Sequence, residues 1–223
     1  EVVMLLVLII CLLGRYYYTA FAALLMPPII GDHMVIQAEM DVPIWGTAGM
    51  NEAVTVEFNG QTKSTTAGGN DGTWEVVLDP MPASVDGKNM NITAEGGDVI
   101  TLVDVWVGEV WLSSGQSNMN MNLGRGIYDA DEAIADMDKH NIRRYKVNKK
   151  EWQILSSSNG NQTSAVHYFF AHEIATNLNN IAGGMIETAV RGSGIEQWTH
   201  TEGEGFTSAG LLYESRIMTL QPF

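Results

Sequence analysis

The sequence predicts a mixed fold: an all-β sandwich over residues 23–105, then an α/β unit over residues 106–223. Three observations predict it. Short alternating segments separated by turn dipeptides fill the first stretch, with no helical period between them. A nearly all-apolar run, Val105 to Leu112, opens the second as a strand buried on both faces would. Beyond it, segments of helical composition alternate with further strands, the pattern of a parallel sheet. Charge shifts at the same place, with 12 acidic against 2 basic side chains in residues 23–105 and 13 against 9 in residues 106–223.

Ahead of both units, Val2 to Leu13 is the most apolar stretch of the chain. As a helix it is about 18 Å long, short of the roughly 30 Å bilayer core. It fits the apolar region of a signal peptide occupying residues 1–22, with Ala20-Phe21-Ala22 at the cleavage spacing. The alternative is an anchor running to Met26, which would place Arg15 near its centre at about 2.5–3.5 kcal/mol. The first reading makes the mature protein secreted or periplasmic, with no stable membrane association.

In the sandwich, Val42 to Trp45 precedes a Gly46/Gly49 turn region. Ala53 to Phe58 places Val54, Val56 and Phe58 on one face and Thr55 and Glu57 on the other, the period of a half-buried strand. Asn59-Gly60 then turns the chain into Gln61 to Thr66, a hairpin. Asn70-Asp71-Gly72 leads into Trp74 to Leu78, and Gly96-Gly97 separates Met90 to Ala94 from Val99 to Val103. In the α/β unit, Asp129 to Lys139 has helix-forming composition, and Ile142 to Val147 and Met185 to Val190 read as strands. Ser164 to Leu178 carries Val166, Phe169, Phe170, Ile174 and Leu178 at helical spacing, with Ser164 as N-cap. Leu211 to Leu220 is helical in composition.

Composition excludes several classes of function. A net charge of −14 argues against nucleic acid and against an anionic membrane surface. Cys11 is the sole cysteine, so the chain has no internal disulfide and no cysteine-based zinc site. No run of histidines and carboxylates has metal-ligand spacing and no glycine-rich phosphate loop follows a strand, so neither a metal nor a cofactor is expected. Trp45, Trp74, Trp106 and Trp111 read as core residues rather than sugar platforms.

Ser113-Ser114-Gly115-Gln116-Ser117-Asn118-Met119 follows the buried strand directly. In an open parallel sheet the ligand site lies at the carboxyl ends of the strands, and a serine beside a sharp glycine turn there is an exposed nucleophile. It needs a base within about 3 Å and backbone N–H groups for the oxyanion. The motif has a long context. Asp32-His33-Met34-Val35-Ile36-Gln37, Val42-Pro43-Ile44-Trp45-Gly46, Gly72-Thr73-Trp74 and Val107-Gly108-Glu109-Val110-Trp111-Leu112 precede it in order, and Ser164-Ala165-Val166, Tyr168-Phe169-Phe170-Ala171 and Ile195-Glu196-Gln197-Trp198 follow.

This series resembles the sialate O-acetylesterase family, whose members place a β-sandwich ahead of a three-layer SGNH-type hydrolase domain. The resemblance runs from Pro27 to Phe223 and is strongest up to Met121. It implies a carbohydrate esterase acting on O-acetylated sugars without a cofactor, with Ser117 as nucleophile and the N–H groups of Ser117 and Gly192 in the oxyanion hole. Two departures accompany it. Arg191 stands where the first glycine of a Gly-Gly-Thr segment is expected, and Ser193 replaces the threonine. The family's Gln-Gly-Glu-Ser-Asn segment and its Asp-x-x-His pair do not occur in these residues. The resemblance therefore implies an α/β domain that is C-terminally truncated and inactive as given, because none of His33, His140, His167, His172 and His200 has an aspartate three residues before it. The competing reading is a non-catalytic glycan-binding or scaffold fragment.

Overall fold

The computed structural model describes residues 23–199, 210–221 and 223. The Val2 to Leu13 run, with its leader and anchor readings, and His200 lie outside the described residues. Ten strands form, in order β1 (Val35–Gln37), β2 (Val42–Thr47), β3 (Ala53–Phe58), β4 (Gln61–Thr66), β5 (Thr73–Leu78), β6 (Ser84–Ala94), β7 (Val99–Ser113), β8 (Ile142–Lys146), β9 (Glu151–Ile154) and β10 (Gly183–Glu187). Two α-helices, α1 (Ala130–Asp136) and α2 (Ala165–Asn177), lie in the second half. Seven strands run β4-β3-β6-β7-β10-β8-β9 across one sheet, with β1 also on β7, while β2 and β5 form a separate antiparallel ribbon.

The pivot is β7. The strands expected at Val99 to Val103 and Val105 to Leu112 are one continuous strand, so the composition boundary near Val105 falls inside it. Its first part pairs antiparallel with β6, and its last part, Glu109 to Ser113, pairs parallel with β10. Between them Asp104 has φ 57°, in the left-handed region, which reads as a break in sequence. The irregular position is tied down by one oxygen of the Asp104 carboxylate and by Arg143, which also donates to the Asp104 carbonyl. That oxygen accepts from Arg143 Nη2 at 2.8 Å and sits 2.8 Å from His33 Nδ1. Arg143, almost fully buried, also stacks 3.3 Å over the centre of the Trp106 ring.

The hydrophobic core follows the period-2 pattern. Val54, Val56 and Phe58 of β3 are buried, as the alternation requires, and Ile44, Trp74, Val76 and Leu78 of the β2–β5 ribbon join the same cluster. That cluster continues past β7 to Tyr145, Trp152, Ile186 and Leu220. A second cluster on the other face of the parallel strands joins Ile142 and Met185 to Ala133 of α1 and Tyr168, Ala171 and Ala175 of α2.

Three expectations are corrected. The apolar set chosen for α2 is its outer face: Val166, Phe169, Phe170 and Leu178 are exposed, while Ala165, His167, Tyr168, Ala171 and Ala175 are buried. Trp111 is 42% exposed and Leu112 47%, so the end of β7 is not buried on both faces. The reason is that β1 stops opposite Gly108, and Trp111 instead packs edge-on against Phe170 with ring centres 4.9 Å apart. Finally, β8 is followed by an antiparallel partner, β9, that the sequence reading passes over. The segment from Leu211 to Leu220 is helical, but as a π-helical turn at Tyr213–Ile217 and a 3₁₀ turn at Met218–Leu220.

Candidate active site

Parallel strands β7, β10 and β8 end level with one another, their last residues Ser113, Glu187 and Lys146 lying side by side across the sheet. Ser117 lies in the half-buried turn just past Ser113, and Gly115, with φ 123°, allows the chain to leave the strand. The turn is closed by the Asn120 N–H donating to the Gln116 carbonyl at 2.9 Å.

Gly192 follows the end of β10 on the same rim. Beyond the last strand residues, Thr188 N–H donates to the Ser113 carbonyl and Val190 N–H to the Gly115 carbonyl, each at 2.9 Å. Asn120 Nδ2 donates to the Ala189 carbonyl at 2.7 Å. The loops carrying Ser117 and Gly192 are thus stitched together. Gly192 has φ 76°, whereas Arg191 is not in the left-handed region, so the glycine stands where the backbone needs it and the arginine departure leaves the turn unstrained. Behind this loop the Ile195–Trp198 turn acts as a buttress. Trp198 Nε1 donates to Ser193 Oγ at 2.9 Å, and Ser193 Oγ donates to the Val190 carbonyl at 2.8 Å.

Ser164 supports the Ser117 loop from the other side. Its hydroxyl donates to the Met119 carbonyl at 2.6 Å and accepts from the His167 N–H at 3.3 Å, so one residue caps α2 and holds the turn. Its own N–H donates to Glu187 Oε1 at 3.0 Å. Burial pushes the Glu187 carboxyl above its ordinary range, against the pull of Arg144, the Ser164 N–H and Lys146, whose Nζ lies 3.6 Å from Oε2. Sequence reasoning missed Asn120, Lys146 and Glu187; strand-terminal position is the signal that could have found the last two. With Arg191 and Arg216 they line a polar cleft of about 340 Å³ beside the serine loop.

Among the described residues Ser117 has no base beside it. Ser117 Oγ forms no hydrogen bond with any of them, and the Ser117 N–H is taken by the Gln116 side chain, whose Oε1 accepts at 2.8 Å. The histidines stand elsewhere. His33 is tied to Asp104, about 30 Å back along β7 from Ser113. His140 and His172 meet Asp136 near the amino end of β8. His167 is buried, and both its ring nitrogens lack a hydrogen-bond partner among the described residues. Burial depresses its pKa to about 4; the Trp111 backbone opposes this in part without reaching either nitrogen in hydrogen-bond geometry.

Comparison with known proteins places the chain among carbohydrate esterases. Residues 107–221 match the family described as carbohydrate esterase, sialic acid-specific acetylesterase. Sialate O-acetylesterase of Rattus norvegicus is 31% identical over 198 residues, covering 76% of this chain and 36% of the rat protein. The Mus musculus protein is 30% identical over the same length and shares. A carbohydrate acetylesterase from Xanthomonas citri superposes with a TM-score of 0.82 at 30% identity, over 90% of this chain and 49% of that one. The chain thus spans between a third and a half of the length of these relatives. It belongs to the sialic acid-specific acetylesterase family of carbohydrate esterases.

Proposed function

We propose that this chain carries the nucleophile and oxyanion loops of a serine esterase that removes O-acetyl groups from sialic acid or a related sugar. The observation that supports this best is the Val190 N–H to Gly115 carbonyl bond, which brings the Ser117 and Gly192 loops to one rim above the parallel strands. In this reading Ser117 Oγ attacks the acetyl carbonyl and its proton passes to a base. The oxyanion accepts from the N–H groups of Ser117 and Gly192, displacing Gln116 Oε1 from the former. Collapse expels the sugar oxygen with the proton returned, and water then releases acetate from the acetyl-serine by the same steps. We place the base outside the described residues, because Ser117 Oγ has no partner among them.

The same reading makes residues 23–105 a β-sandwich unit and residues 106–223 the first part of a three-layer hydrolase domain, the two fused through β7. It also makes the protein extracytoplasmic, supported by the Val2 to Leu13 run and its following small residues. Among the described residues no helix is long and apolar enough to cross a membrane.

A second reading, a glycan-binding or scaffold protein without turnover, is favoured by a Ser117 hydroxyl that has no partner among the described residues. Incubation with an O-acetylated sialoglycan separates the two: acetate release that depends on Ser117 supports the esterase, and saturable binding with the acetyl group intact supports the scaffold.

A further inference from the structure

Away from the serine loop, the fold assembles a cluster that linear spacing did not suggest. Asp136 is the last residue of α1, His140 follows the 3₁₀ turn Met137–Lys139, and His172 comes from α2. One ligand atom from each lies within 4.8 Å of the other two. We propose that Asp136, His140 and His172 bind a divalent transition-metal ion, with Zn²⁺ the best match to two imidazoles and one carboxylate.

The geometry fits the ion. Tetrahedral zinc with bonds of about 2.0–2.1 Å holds neighbouring ligand atoms roughly 3.3–3.4 Å apart. Here Asp136 Oδ2 lies 2.9 Å from His140 Nε2 and 3.7 Å from His172 Nε2, a spacing that brackets this value. The imidazoles meet edge to face with centres 4.3 Å apart, so both can aim a nitrogen at one point. The three side chains are 30%, 13% and 32% exposed, leaving an open side for water as a fourth ligand.

Two features set the affinity. Lys139 pairs with the other Asp136 oxygen, and its charge opposes a cation, although at 75% exposure it is free to swing away. His140 Nδ1 is buried without a partner, so the imidazole lacks the outer hydrogen bond that usually supports a ligating histidine and is worth about 10–100-fold in metal affinity. Binding should therefore be micromolar rather than nanomolar. Because the ligands join the α1 turn to α2, the ion would clamp these elements over the sheet, at the end remote from Ser117.

The test is titration of the metal-stripped chain with Co²⁺, followed by visible absorption, and with Zn²⁺, followed by calorimetry and thermal unfolding. We expect one ion per chain, tetrahedral Co²⁺ bands and a raised Tm. His172→Ala and Asp136→Asn should each weaken binding at least tenfold, whereas Lys139→Met should tighten it severalfold. His33→Ala, which removes a histidine outside the cluster, should leave metal affinity and the Co²⁺ bands unchanged. Absence of saturable binding by the unaltered chain would overturn the site. So would binding that survives His172→Ala and Asp136→Asn, since the metal would then lie on other residues.

Discussion

The Ser164 hydroxyl donates to the Met119 carbonyl at 2.6 Å, so the residue that caps α2 also fixes the turn carrying Ser117. Ser164→Ala removes both bonds and should cost about 1–2 kcal/mol of stability. Ser164→Thr keeps a hydroxyl in place and should stay within about 0.5 kcal/mol of the parent. Urea midpoints of the two variants check this, and equal midpoints would remove Ser164 from its double role.

Gly192 and Arg191 should respond in opposite ways. An added Cβ at Gly192 meets nothing within 4 Å, so the penalty of Gly192→Ala is purely that of a left-handed φ, about 1–2 kcal/mol. Arg191→Gly restores the family's residue at a position with ordinary φ, and should leave stability within about 1 kcal/mol. Thermal unfolding of both variants decides the point; a large stabilisation by Arg191→Gly would mean that the arginine strains the loop after all.

His167 gives the protein a defined acid sensitivity. Its folded pKa of about 4 lies below the ordinary 6.5, so below pH 6.5 the unfolded chain takes up a proton that the folded one refuses. Stability from this group is whole above pH 6.5, falls as pH drops to about 4, and amounts to roughly 3 kcal/mol in all. Glu187, whose pKa is raised, works in the reverse sense, gaining stability as pH falls towards 4.5. Asp104, whose pKa is lowered, loses its share only below 3.8. The difference between the parent and His167→Leu isolates the histidine. Denaturant midpoints from pH 7 to 4 should fall less steeply in the variant, and parallel profiles would contradict the assignment.

The sequence reading expects residues 23–105 to fold alone. Yet a fragment ending at Val105 cuts β7 in mid-strand, removes the β1 pairing at Trp106 to Gly108 and strips Arg143 from Asp104. The lost strand pairing and core contacts are a large part of what holds a small domain that is stable by only about 5–15 kcal/mol. The fragment is therefore expected to melt without a cooperative transition, whereas residues 23–223 should show one. Circular dichroism melts of the two chains compare them directly.

Much of the site was legible because strand-turn grammar is local. An apolar strand running into Gly115-Gln116-Ser117 fixes the end of the sheet where the serine emerges, and Ala53 to Phe58 shows its buried face by simple alternation. What escaped depends on neighbours. The buried stripe of α2 is made largely of Ala165, Ala171 and Ala175, whose weak apolar signal is outweighed by the bulky Val166, Phe169 and Phe170 that point away. Arg143 and Arg144 are buried in β8 only because Asp104, Thr163 and Gln153 come from other segments to pair with them, which the strand's own sequence does not show. The Asp136, His140 and His172 cluster needs α1 and α2 side by side, which no window of sequence displays.

The account's central claim is that Ser117 is the nucleophile of an acetylesterase whose base is none of the five histidines in these 223 residues. The most direct measurement is acetate release from an aryl acetate and from O-acetylated sialic acid, by this chain and by a form extended through its downstream coding sequence, each with and without Ser117→Ala. We expect rapid release by the extended form, a loss of roughly four to six orders of magnitude on Ser117→Ala, and only background from the 223-residue chain. Full activity of the extended Ser117→Ala variant would refute the nucleophile. Robust Ser117-dependent activity of the 223-residue chain alone would refute the placement of the base.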